Sequence, residues 1–149
     1  MCYAVIFSTT STRNLDELNN ETLHFSREIP DLEQLRHLQY PHKWHLTTDG
    51  SCSCGFRHLD MGADELGFSE PEDWLPEEPE DIQATLQVVV ILKSLLAEGE
   101  KLDCIDVWCG GEHTKPSVKN KVAVNLNALP DAKFRFIENY LFSFSGEPN

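Results

Sequence analysis

Only one stretch of the chain carries a sustained helical period. Ile82, Leu86, Val89, Leu92 and Leu96 recur at three- and four-residue steps, which predicts a helix from about Glu80 to Glu98. Val88, Val90, Ile91 and Leu95 widen its apolar face, so the helix is expected to be mostly buried. The β-branched run Val88-Val89-Val90-Ile91 lowers its intrinsic helicity, so packing must supply much of its stability. Pro79 suits the first turn, Glu77, Glu78, Glu80 and Asp81 complement the positive helix end, and Gly99 suits the C-terminal cap.

Elsewhere the pattern predicts strands. Residues 2–8 are a short apolar run closed by Ser and Thr, and Leu23-His24-Phe25 is a shorter one. Lys43 to Thr47 alternates polar and apolar residues and leads to the turn dipeptide Asp49-Gly50. Leu102 to Trp108 reads as a strand buried on both faces, and Lys121 to Leu126 as an alternating one. A Gly/Lys/Pro loop containing Gly110, Gly111 and Pro116 joins these two. Asp31 caps a predicted short helix carrying Leu32, Leu35 and Leu38, which Pro41 ends.

The segment Ala132 to Phe144 fits two patterns. Phe134, Ile137, Leu141 and Phe144 make a helical stripe, whereas Phe134-Arg135-Phe136 and Phe142-Ser143-Phe144 alternate as strands do. Pro130-Asp131 make a plausible helix start, and the expectation is a helix. The aromatic residues of this tail are expected to complete the core. Together these elements predict a single α+β domain over residues 1–149, with a mainly antiparallel sheet packed on one long buried helix.

Composition adds limits. A chain of 149 residues buries roughly two thirds of its unfolded surface and needs no metal or disulfide to fold. The formal net charge of −13 disfavours nucleic acid and anionic membranes, and favours a metal ion, a cationic small molecule or a basic protein partner. The longest apolar run, Val88 to Leu92, is too short to span a bilayer. With no export signal and an odd number of cysteines, five, the expectation is reduced thiols in the cytoplasm. From Asp64 to Asp81 the chain is acidic, punctuated by Pro71, Pro76 and Pro79, and free of Lys and Arg. It reads as a surface excursion pinned to the core by Phe68 and Trp74.

The chemistry-bearing pattern is Cys-Gly-x-x-His, which occurs twice, as Cys54-Gly55-Phe56-Arg57-His58 and Cys109-Gly110-Gly111-Glu112-His113. Glycine after each cysteine permits a tight turn that brings thiolate and imidazole toward one point. Two such pairs supply the two sulfurs and two nitrogens of a tetrahedral Zn²⁺ site, with Cys52 as a further thiolate. The candidate ligands are Cys52, Cys54, His58, Cys109 and His113, with His45 a conceivable additional imidazole. Cys2 and Cys104, inside predicted strands, are expected to be small buried apolar residues.

Three functions remain open from the residues. One is a metal-stabilised binding or regulatory module whose acidic face meets a basic partner. A second is a cysteine-dependent enzyme, in which Cys54 or Cys109 pairs with His58 or His113, Asp103 or Asp106 orients the ring, and Arg57 lowers the thiol pKa. The third is a plain protein-interaction domain, which predicts an exposed apolar or acidic patch and no convergent polar site.

Overall fold

The computed structural model describes residues 2–48, 52–60, 63–109 and 118–146, with Cys2 and Cys109 described by backbone alone. The expected Asp49-Gly50 turn, the loop of Gly110, Gly111 and Pro116, and the candidate ligand His113 lie outside the described residues.

Eight strands and one α-helix are described: β1 (Cys2–Thr9), β2 (His24–Ser26), β3 (His42–Thr47), β4 (His58–Leu59), α1 (Pro79–Ala97), β5 (Leu102–Cys109), β6 (Asn120–Asn125), β7 (Phe136–Ile137) and β8 (Tyr140–Ser145). Six of the strands form one sheet in the order β2-β3-β1-β5-β8-β6. All its pairings are antiparallel except β6 with β8. The short strands β4 and β7 pair in parallel as a separate ribbon. The chain is thus an α+β fold with a mostly antiparallel mixed sheet and one packed helix.

Side-chain alternation gives the sheet two apolar faces. Val5, Phe7, Trp44, Leu46, Cys104, Phe142 and Phe144 face α1, which buries Ala84, Val88, Val89, Leu92 and Leu95 against them. The ribbon residues Leu59, Phe136 and Ile137 belong to the same cluster. On the opposite face Ala4, Ile6, Ile105, Val107 and Leu141 are covered by Leu38 and the half-buried Ile29, Leu32 and Leu35. β5 is therefore covered on both faces, as expected, and its carboxylates Asp103 and Asp106 are buried with it.

The structure departs from the pattern in four places. The C-terminal segment is two strands, not a helix. Asn139, at φ 61°, turns the chain between β7 and β8. Phe142 and Phe144 then face the core while Ser143 is exposed, so period-two alternation governs here. The leucine segment after Asp31 makes only a 3₁₀ turn at Glu33–His37, with no side-chain cap. Val90 is 60% exposed, because the sheet takes one side of α1 and not the whole apolar circumference. Trp74 is not tucked onto the core: it is 67% exposed, while Phe68 packs against the main cluster as expected.

Candidate functional site

The β1–β3 ladder runs from Thr9↔His42 to Val5↔Leu46 and stops there. The cysteine loop takes over the vacated edge of β1. Ser53 N–H donates to the Tyr3 carbonyl at 3.0 Å, and the Tyr3 N–H donates to Cys54 Sγ at 3.3 Å. Ser53 Oγ accepts the Val5 N–H at 2.9 Å and donates to the Leu46 carbonyl. Gly55 is required here for space rather than for an unusual backbone angle. A Cβ at Gly55 would sit 2.8 Å from Thr48 Cβ, so the loop docks against the residue that follows β3 only with a bare Cα.

This docking delivers His58, at the start of β4, onto the α1 face of β5. The ring lies flat against Tyr3, with centroids 4.0 Å apart and planes 4° apart. Nδ1 is 2.7 Å from Asp106 Oδ2, and Nε2 is 2.6 Å from the Ser53 carbonyl oxygen. A carbonyl only accepts, so Nε2 carries a proton. The remaining shared proton lies between Nδ1 and Asp106, and the pair is an imidazolium–carboxylate pair. Burial opposes the imidazolium, but the charge and hydrogen bond of Asp106 and the Ser53 carbonyl outweigh it, so the pKa of His58 is raised. Burial also raises the Asp106 carboxyl, and both directions mean that the pair keeps its proton. Burial, with the Asp106 charge added, pushes the Tyr3 phenol well up, so it stays neutral.

Asp106 therefore orients a histidine, the role named for it in the enzyme reading. The histidine so held has no nitrogen left for a metal or for a thiol. Asp103 serves the other face, accepting from Ser8 Oγ and from the Gln39 N–H at 2.9 Å. His45 pairs in register with Ile6, on the face opposite His58, so it does not join this site. Cys104 is fully buried in mid-strand, and burial raises its thiol far above the ordinary range.

The hydrogen bonds of Arg57 go to a carboxylate and to backbone carbonyls. Its guanidinium, with 1% of the side chain exposed, grips Glu77 through Nε at 2.6 Å and Nη2 at 2.9 Å. It also donates to the carbonyls of Ala132, Phe134 and Ser69. Arg135, equally buried, donates to the Gly67 carbonyl and to Ser69 Oγ. Two guanidinium groups thus tie both ends of the segment between Ser69 and Glu77 to the body of the fold. The signal for this staple is present in the sequence: Arg57 and Arg135 are cations among Phe residues, next to a long segment that has none.

A cleft of about 290 Å³ opens beside this arrangement. Tyr3, Cys54, His58, Asp60, Glu77 and Asp81 are among its lining residues. Burial, reinforced by Glu78, Glu80 and Glu77, raises the Asp81 carboxyl, with His58 opposing. Cations suit the cleft; anions do not.

Of the five candidate ligands, the described side chains are Cys52, Cys54 and His58. Cys54 and His58 share the cleft, and Cys52 is half-buried one residue before Ser53. Among the described residues no group of three or more Cys, His, Asp or Glu is arranged to hold a metal ion. Nor is any described helix long and apolar enough to cross a membrane. Compared with protein-family models, with curated proteins and with solved structures, the chain matches none.

Proposed function

We propose that this chain is a protein-interaction module that docks onto a basic partner through its acidic excursion, with Trp74 as the anchor. The exposure of Trp74 carries the reading. A large indole, 67% exposed, stands at the tip of a turn closed by the Leu75 N–H donating to the Glu72 carbonyl at 3.1 Å. Glu70, Glu72, Asp73 and Glu78 around it are all exposed. The base of the turn is fixed by Arg57 and Arg135, so the indole is presented in a set position. Such preorganisation lowers the ordering cost of association, and Trp is enriched among residues that dominate binding energy. The surrounding carboxylates steer a cationic surface and suppress anionic ones.

Affinity capture from a cell lysate, quantified by mass spectrometry, tests the reading. Wild-type protein should retain basic proteins that are lost both in Trp74→Ala and at high salt, whereas Val90→Ala should retain them. Capture that is the same with and without the indole overturns the proposal. The enzyme reading has less support, because the His58 imidazole in reach of Cys54 has both nitrogens committed to Asp106 and Ser53.

A further inference from the structure

Trp74 shares its segment with one wall of the cleft. Pro76, Glu77 and Glu78 follow it in the chain and line the space of about 290 Å³ that Tyr3, Phe56 and Asp81 also border. Two residues of extended chain span at most ~7 Å, so Trp74 and the cleft lie within reach of a single partner segment. The cations at the cleft wall are already engaged, Arg57 with Glu77 and His58 with Asp106. Among the described residues no Lys or Arg pairs with Glu78 or Asp81. Burial, and after it the charges of Glu78, Glu80 and Glu77, raise the Asp81 carboxyl, and an incoming cation relieves that repulsion. The volume is at the small end of ligand pockets, which run to ~300–1,000 Å³, and suits one side chain rather than a large cofactor.

We infer that this cleft receives an arginine side chain of the basic partner that docks on Trp74, with the guanidinium held by Glu78 and Asp81 and its stem lying along Tyr3 and Phe56. The inference rests on the docking reading and adds the partner's chemistry to it. A guanidinium suits the cleft better than an ammonium for three reasons. Its forked donors can meet carboxylates on two different residues, it is more weakly hydrated and so loses less on entering a half-enclosed space, and it stacks on aromatic rings. An exposed indole beside a pocket that a partner's arginine fills is the pattern of residues that dominate binding energy.

Titration of the isotope-labelled full chain with Nα-acetyl-arginine amide, read by backbone amide chemical shifts, tests the cleft. The expected result is saturable shifts at Tyr3, Phe56, Glu78 and Asp81. They should be absent with the acetyl amide of citrulline, which has the same shape and no charge, and several-fold weaker with that of lysine. Asp81→Asn should weaken the arginine probe about fivefold, the effect of losing one part-exposed ion pair. Glu33→Gln, the same loss of charge on the segment that covers the other sheet face, should leave it unchanged. An equal response to the citrulline or lysine probe, or unchanged affinity in Asp81→Asn, overturns the inference. Trp74→Ala keeps the cleft walls and should still take up the probe. A chain that takes up arginine but captures basic proteins without its indole overturns the docking reading and leaves a guanidinium site. One that loses those proteins with the indole but ignores the probe overturns the cleft alone.

Discussion

Removing the His58 imidazole leaves the buried Asp106 carboxyl with no cation beside it, to be held unpaired or protonated against its hydrogen-bonding needs. Breaking a buried pair by removing one partner costs about 3–5 kcal/mol, so His58→Leu is expected to lower the unfolding free energy by that amount in a denaturant titration. The double variant His58→Leu/Asp106→Leu removes both charges and should recover most of the loss; equal destabilisation of the single and double variants would refute the ion-pair account. Gly55 makes a separate prediction. Gly55→Ala forces its new methyl against Thr48, so the variant should melt at lower temperature, and Thr48→Ala should partly restore it. The residues were legible before their geometry was. Asp106 is named in the sequence as a possible orienter of a histidine, but its partner lies 48 positions away and only the sheet register joins them. The glycine was visible too, yet sequence alone suggests a turn-forming glycine where the structure needs an absent side chain.

At the scale of elements, the segment from Ser69 to Glu77 depends on Arg57 more than on its own backbone. Its internal order is one isolated bridge between Glu72 and Leu75. Glu77→Gln removes the carboxylate that both buried guanidinium groups face. The expected result is faster limited proteolysis within residues 69–78 and a lower melting temperature, with α1 still formed by circular dichroism. Unchanged cleavage there would show that the staple does not order the excursion. The helix itself was readable because its period is long and uninterrupted, with Pro79 and Gly99 marking its ends. The Ala132–Phe144 segment was misread for the opposite reason. It supports both periods equally, and the deciding residue, Asn139 at φ 61°, marks a tight turn that no apolar count registers. Trp74 was expected inside because large aromatics usually are. Nothing in the local pattern reveals that the main cluster is already filled by Phe134, Phe136, Phe142 and Phe144.

For the molecule as a whole, the raised pKa of His58 couples stability to pH. The folded state keeps a proton that the unfolded chain releases above its ordinary value of 6.5, so folding is favoured below that pH. Stability should decline as pH rises from there through the folded-state pKa of His58. Tyr3, Asp81 and Asp106 all contribute to that group's surroundings. His45, whose pKa burial lowers, acts oppositely: its contribution is lost as pH falls below 6.5. Melting temperature should therefore fall on the alkaline side, and in His58→Leu/Asp106→Leu that slope should flatten while the acid-side loss remains. An unchanged alkaline slope in the double variant would assign the effect elsewhere. The α+β architecture was legible at this scale because strand-like and helix-like segments intersperse without regular βαβ spacing. The strand order was not, since pairing partners are set by long-range packing.

The pairing of β1 with β5 also constrains how the protein is made. Ser8 and Asp103, linked across these two central strands, are 95 positions apart. During synthesis β1 leaves the ribosome on the order of ten seconds before its partner does. Through that interval Val5, Ile6 and Phe7 lack the β5 side of their sheet, and β3, the leucine segment and α1, which emerge earlier, are the cover that the nascent chain can provide. Its folded yield is therefore expected to depend on translation speed more than its equilibrium stability would suggest, which the soluble fraction made from slowly and rapidly translated messages checks.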